Sequence, residues 1–379
     1  MKQVNMFSRV VVLAATALSL AACKKSAEDT IKIGEVGAMT GPTATFGIST
    51  HNGIMLAIEE INAAGGVKGK KLEVISLDDQ GKPEEAAMVT TKLITQDKVV
   101  AILGEVASSV SLAMAPIAQQ YKVPMITPSS TNPDVTKKGD YIFRVCFIDP
   151  FQGSVMAKFA HENLKAKKVA ILRDIKNDYS MGLSQFFREK FTSLGGEIVV
   201  EQSYSAGDID FKSQLTAIRA KKPDAIYVPG YYTDVGLIAR QTRELGMTVP
   251  LMGGDGWDSP KLKEIGGKAV DGSYFSNHYS AENQDPRVQE FLAKYKAKYN
   301  STPDALAAMG YDAARVLAEA MARAPTLESK DLRDAIAATK DFNGVTGNIT
   351  LDADRNAIKA AVVLQVVDGE FKYQATVNP

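Results

Sequence analysis

Apolar runs of strand length alternate with helical stretches along the chain from residue 31 onward. Ile31–Ala38 is the first run and ends in the turn-rich Met39–Gly47. Ile54, Ile58 and Ile61 then recur at helical spacing until Gly65-Gly66 stops the helix. Lys71–Leu77 predicts a strand emptying into Asp78-Asp79, and Pro83 opens a helix that faces inward through Ala86, Val89 and Leu93. Val99–Leu103 is a continuous apolar run closed by Gly104. A helix from Ser111 to Tyr121 follows it, with Ser108 or Ser109 as its cap. Val123–Thr127 and Tyr141–Phe147 read as further buried strands.

Asp149-Pro150 breaks this rhythm, and a second unit begins with Phe151, Val155 and Phe159 on one helical face. Strands are expected at Val169–Leu172, Ile198–Glu201, Ala225–Val228 and Val249–Met252. The helices between them carry Leu183, Phe187, Phe191 and Leu194, then Phe211, Leu215 and Ile218, then Val235 to Leu245. The alternation predicts an α/β fold with parallel sheets covered on both faces. The units also echo one another. Lys122-Val123-Pro124-Met125 returns as Thr248-Val249-Pro250-Leu251, and Gly65-Gly66 as Gly195-Gly196. Late elements complete the count: a strand at Asp271–Tyr279, helices around Val288–Tyr299, from Pro303 to about Ala322 and from Ser329 to Ala338, and strands at Asn348–Leu351 and Ala360–Val367.

In open α/β sheets, ligands bind beyond the carboxyl ends of strands. Val99–Leu103 leads there to Ser108, and Val123–Thr127 leads to Pro128-Ser129-Ser130-Thr131-Asn132-Pro133. Hydroxyls beside a helix N-terminus suit a small anion such as a carboxylate. By the echo, the Ser108 loop corresponds to the Tyr231 loop, and Ser129–Thr131 corresponds to the loop holding Asp255. Facing lobes would place donors on one wall and an acid with aromatics on the other, which suits a zwitterionic α-amino acid. Each residue also has a plainer reading. Ser108 serves as a helix cap, Ser129–Thr131 as turn residues between prolines, Asp255 as a solvated turn acid, and Tyr179 as a surface tyrosine.

The amino terminus changes the picture of where the protein works. Lys2 and Arg9 precede the apolar Val10–Leu20, and Leu20-Ala21-Ala22-Cys23 resembles a bacterial lipobox. Residues 1–22 read as a lipoprotein signal peptide and 23–30 as a tether, with lipid on Cys23; the mature chain is expected outside the cytoplasm, held to a membrane by that lipid alone. Removing residues 1–22 takes Lys2 and Arg9 and leaves 42 basic against 44 acidic side chains, which gives no basic face for nucleic acid. The one other cysteine, Cys146, sits in an apolar strand pattern, so no internal disulfide is expected and the thiol reads as buried and inert. His51, His161 and His278 show no metal spacing. G-x-S-x-G, Walker A, H-E-x-x-H and C-x-x-C patterns are absent from the sequence, and neither an enzyme nor a cofactor is expected.

Ile33–Pro42 (IGEVGAMTGP), Glu59–Gly69 (EEINAAGGVKG), Pro124–Pro133 (PMITPSSTNP) and Gly230-Tyr231 carry a resemblance over nearly all the mature length. With these motifs in this order, the chain resembles the type I periplasmic binding proteins of ABC importers, and within them the leucine–isoleucine–valine group. The resemblance implies two Rossmann-like lobes joined by a three-strand hinge near Cys146–Asp149, Asn277–Tyr279 and Leu351–Asp354. Lobe one would then comprise 31–147 plus 279–352, and lobe two 148–278 plus 353–379. It implies that Ser108 and Thr131 bind a ligand carboxylate, that the Ser129 carbonyl and Asp255 take the ammonium, and that Phe46, Tyr179, Tyr231 and Leu306 wall the pocket. It also implies permease subunits of an ABC importer as partners. Two departures stand out. Asp255 replaces the glutamate common in the group and is one methylene shorter, a gap that Trp257 is placed to fill. Gly81 and Ala107 stand where some members form a disulfide. The alternatives are a sensor of the same fold for an amide, urea or another amino acid, and an exported α/β hydrolase.

Overall fold

The computed structural model of the protein describes residues 30–379. The expected signal peptide and Cys23 lie outside the described residues. The first lobe opens with β1 (Thr30–Gly37), α1 (Ala44–Ala63), β2 (Lys71–Asp78), α2 (Pro83–Thr95), β3 (Ala101–Leu103), α3 (Ser108–Tyr121), β4 (Met125–Thr127) and β5 (Ile142–Arg144). The chain crosses to a second lobe for α4 (Asp149–Lys158), β6 (Lys168–Asp174), α5 (Asp178–Ser193), β7 (Glu197–Tyr204), α6 (Lys212–Ala220), β8 (Ala225–Tyr227), α7 (Tyr232–Glu244), β9 (Leu251–Gly253), α8 (Pro260–Gly266) and β10 (Tyr274–Asn277). It returns to the first for α9 (Pro286–Tyr299), α10 (Ala305–Arg323), α11 (Ser329–Ala337) and the antiparallel β11 (Phe342–Gly344), β12 (Gly347–Leu351) and β13 (Ala357–Ile358). β14 (Ala361–Val367) and β15 (Glu370–Val377) finish the second lobe.

The continuous apolar runs become strands buried on both sides. In β3, Ala101 and Leu103 face one core while Ile102 faces the other; in β8, Ala225 and Tyr227 oppose Ile226 in the same way. The echo between units is topological. The first sheet runs β2-β1-β3-β4-β5, all parallel, and the second contains β7-β6-β8-β9-β10 in the corresponding order, with β14 and β15 added antiparallel beyond β10. Equivalent loops after β3 and β8, and after β4 and β9, therefore end up facing the same crevice.

Helices α1 and α10 cross in close contact on the first lobe. A Cβ at Gly53 would sit 1.9 Å from the Ala307 carbonyl oxygen, and one at Gly310 would sit 2.4 Å from that of Thr50. Only glycine permits this approach.

Three expectations are corrected. Ser108 and Ser109 do not cap α3: Ala107 occupies the N-cap, and Ser108 is already the first helical residue. The third crossing lies between Ile358 and Ala361 rather than at Leu351–Asp354. β13 still pairs with β12, Ala357 belongs to the first lobe's core, and Arg355 donates to the carbonyls of Ile142 and Thr136. Asp271–Tyr279 shortens to Tyr274–Asn277 because a turn through Gly272 at φ +75° precedes it. Strand β15 escaped the pattern because it lies at a sheet edge with mostly exposed side chains, so burial does not impose alternation on it.

The lobes are closed on each other. Tyr232 Oη and Thr233 Oγ1 both donate to the Pro42 carbonyl, at 2.9 and 3.0 Å. The Asp178 amide donates to Ser109 Oγ at 2.9 Å, and Asn132 Nδ2 donates to the Asp178 carbonyl at 2.9 Å. Asp258 Oδ2 accepts the amide of Ala305, the first residue of α10, at 2.7 Å.

Candidate ligand-binding site

Between the lobes lies a cavity of about 240 Å³ lined by Phe46, Val106, Ser108, Ser129, Tyr179, Tyr231, Asp255, Gly256 and Leu306. The space within it is narrow, so the occupant is small. Seven of the eight residues expected from the sequence are on this lining. Thr131 stands just behind it, with its hydroxyl 3.4 Å from Gln152 Nε2.

The donor wall is built by the loops after β3 and β4. Ser108 presents the N-terminus of α3, and its Oγ accepts the Asn132 amide at 3.2 Å, tying the two loops together. Thr127 Oγ1 accepts the amides of Ser129 and Ser130, which turns the chain sharply beneath the cavity. The fully buried Arg144 holds this loop from below. It donates to the carbonyls of Ser130 and Asn132, the second at 2.9 Å. Ser129, in the loop so held, faces the crevice.

The acid wall comes from the second lobe. Asp255 begins a single 3-10 turn after β9 and is buried. Gln152 Nε2 lies 3.1 Å from its Oδ1 and 2.8 Å from Asp149 Oδ1, while Gln152 Oε1 accepts Ser276 Oγ at 2.9 Å. His278 Nε2 lies 3.0 Å from Asp255 Oδ2. Through Gln152 the acid is thus one side chain away from Thr131 on the opposite wall. Aromatic rings close the space between. Tyr179 and Tyr231 stack at 5.4 Å, Phe46 meets Tyr231 edge-on at 5.5 Å, and the Tyr179 hydroxyl accepts the Gly256 amide at 3.2 Å. Leu306, near the start of α10, supplies an aliphatic end.

Trp257 does not fill the space beside Asp255. Its ring packs under Gly253, where a Cβ would lie 2.2 Å away, and its N–H donates to the Val228 carbonyl at 2.9 Å. His278 and Gln152 back the carboxylate instead. Neither was singled out from sequence as a site residue, although each left a signal. Gln152 is a polar residue on the buried face of α4, and His278 directly follows β10 at the carboxyl end of the sheet.

Asp149 is buried next to this cluster. Burial pushes its carboxyl up to about 7 from an ordinary 3.8, against hydrogen bonds from Thr131 and Gln152. The folded chain therefore holds a proton there that the unfolded chain releases between about pH 4 and pH 7. The associated stability is complete below about pH 4 and is lost as pH rises through about 7. Asp149→Asn, neutral at every pH, is expected to melt several degrees above the wild type at pH 8 and near it at pH 4, a comparison differential scanning fluorimetry makes directly. An equal offset at both pH values would contradict the assignment.

Two α/β sheets with parallel cores, joined by three crossings and closed over a small cavity, define the type I periplasmic binding protein fold. The chain belongs to the periplasmic binding protein family, whose profile matches residues 30–370. The leucine-, isoleucine-, valine-, threonine- and alanine-binding protein of Pseudomonas aeruginosa is 32% identical over 342 residues, covering 90% of this chain and 91% of that protein. A leucine-binding protein of Thermotoga maritima superposes with a TM-score of 0.89 at 45% identity, over 92% of this chain and 99% of the other. A branched-chain amino acid transporter substrate-binding protein of Streptococcus pneumoniae, solved with isoleucine, gives 0.88 at 39% identity, over 92% of this chain and all of that one.

Proposed function

We propose that this chain is the substrate-binding protein of an ABC importer and captures a branched-chain aliphatic amino acid between its lobes. The observation that carries this reading is one enclosed cavity with Ser108, at a helix N-terminus, on the first lobe and the Asp255 carboxylate on the second. An α-amino acid presents a carboxylate to the one and an ammonium to the other, so both of its charges are paired out of water. Phe46, Tyr179, Tyr231 and Leu306 then select an apolar side chain by shape. An aromatic or aliphatic acid without an amine would leave Asp255 facing no cation.

Closure follows from the same contacts. A ligand that touches both walls binds the closed arrangement better than the open one and shifts the population toward it. The moving bodies are residues 30–147 with 279–358, and 148–278 with 361–379. The closed form is what an importer's permease subunits would receive. Leu20-Ala21-Ala22-Cys23 supports export and a lipid anchor on Cys23.

A thermal-shift screen over the amino acids tests the ligand. Leucine, isoleucine or valine at a hundredfold excess over Kd is expected to add about 2.7 kcal/mol, roughly 4 °C in Tm for a chain of this size. Stabilisation by amides, urea or polyamines alone would overturn the branched-chain reading in favour of a sensor.

A further inference from the structure

His278 is the third partner of the acid wall, and its surroundings are unusual for a histidine. The side chain is almost wholly buried, with only 3% of its surface exposed. Its ring stacks on Phe147 at 3.7 Å between centroids. Nε2 faces Asp255 Oδ2 at 3.0 Å, whereas Nδ1 is buried with no hydrogen-bond partner among the described residues. An ionised carboxylate accepts and does not donate, so the proton must sit on Nε2. A second proton would have to sit on Nδ1, where nothing accepts it.

We propose that His278, as a neutral Nε2–H donor, is the positioning residue that holds the Asp255 carboxylate aimed into the cavity and sets the acid limit of amino-acid capture. This rests on the reading of Asp255 as the partner of a ligand ammonium. With Gln152 on Oδ1 and His278 on Oδ2, each oxygen has one fixed donor behind it and a remaining lone pair for the ligand. All three residues lie on elements of the second lobe or at its edge: α4, the turn after β9, and the end of β10. The arrangement therefore does not depend on closure and is already built when the cleft is open. It also accounts for the short acid. Asp255 needs no longer side chain because two donors fix where its oxygens point.

Burial, more than the surrounding charges, favours the neutral form of the ring. Burial lowers the imidazole below its usual range, the Asp255 hydrogen bond and charge raise it, and the Lys359 ammonium lowers it again. Lys359 is itself buried and brought down to about 8, chiefly by burial. Asp149 lies on the far side of Gln152, and Cys146, its thiol pushed up to about 12 by burial, carries no charge at neutral pH. A protonated His278 would place a cation against the carboxylate that a ligand ammonium must pair. Binding and ring protonation are therefore mutually opposed, and linkage requires affinity to fall as pH drops through the ring's titration.

Calorimetric titration with leucine from pH 8 to pH 5 tests this in the wild type, His278→Gln and His278→Phe. Glutamine keeps an amide N–H near the Nε2 position and cannot titrate. It is expected to bind within a few-fold of the wild type at pH 8 and to lack the loss, approaching tenfold per pH unit, that the wild type shows on the acid side. Phenylalanine keeps the stack on Phe147 and removes the donor, and it is expected to weaken binding roughly ten- to a hundredfold at pH 8. A pH profile of His278→Gln that matches the wild type, or a His278→Phe affinity equal to it, overturns the proposal. Imidazole ¹⁵N spectra of the unliganded wild type at pH 7.5 decide the matter independently of any ligand or variant. The neutral Nε2–H form is expected, and an Nδ1–H or doubly protonated ring would refute it. Failure of the wild type to bind any amino acid would overturn the ligand assignment, with the ring spectra still reporting on the His278–Asp255 contact.

Discussion

Asp255→Ala is expected to abolish measurable leucine binding while leaving the unliganded chain folded. The ammonium would enter a closed, apolar-lined cavity with no counter-charge, which costs about 3–5 kcal/mol, on the order of a hundred- to several-thousandfold in Kd. The second lobe should survive the change. Its sheet and core are built by β6, β8, β9 and the Phe187, Tyr227 and Trp257 packing, none of which rests on the carboxylate. Isothermal titration at pH 7.5, with circular dichroism to verify the fold, reads both parts. Asp255→Asn keeps the shape and removes the charge. It should lose most of the same affinity, because the charge and not the volume is what the ammonium needs. A Kd for either variant within a few-fold of the wild type would mean that Asp255 is not the ammonium's partner.

Arg144→Ala carries the second largest expected effect, this time on stability. The guanidinium is fully buried and satisfies the carbonyls of Ser130 and Asn132, with Thr136 Oγ1 3.4 Å away. Truncation removes both charge-assisted bonds, worth about 1.5–3 kcal/mol each, leaves the Ser130 carbonyl only the Cys146 thiol and the Asn132 carbonyl only the Val135 amide, and opens a void where the side chain lay. The loss exceeds the gain from no longer burying a charge, because Asp149 also loses a nearby cation. A drop of roughly 3 kcal/mol or more in urea unfolding is expected, together with weaker ligand binding, since the loop carrying Ser129 is no longer held. Arg144→Lys should recover only part of this: an ammonium lacks the planar fork that spans two carbonyls. A midpoint for Arg144→Ala close to the wild type would show that the loop is held by the bonds of Thr127, Ser108 and Ser130 without the guanidinium.

The parallel sheets were legible because strands buried on both faces leave uninterrupted apolar runs, as in Val99–Leu103 and Ala225–Val228. The cleft was legible because the second unit repeats the strand order of the first, so one pair of loops predicted the other. Other features leave no periodic trace. β13 has two residues, too few to show alternation, and its partner β12 alone reveals which lobe it serves. The acid wall is assembled from Gln152, Asp255 and His278, which lie far apart in sequence and meet only because α4, β9 and β10 are neighbours in space. Ser108 reaches the cavity lining in another way than its expected cap role implied. It presents the N-terminus of α3 to the cavity as a helical residue and does not cap it.

The path of the chain between lobes constrains how the molecule can be made. Helix α1, among the first pieces to emerge in synthesis, finds its packing partner in α10, roughly two hundred and fifty residues later. The second sheet waits for β14 and β15, the last strands of all. Neither half can finish before nearly the whole polypeptide has been delivered. A chain exported as proposed above would cross the membrane with α1 still lacking its late partner α10.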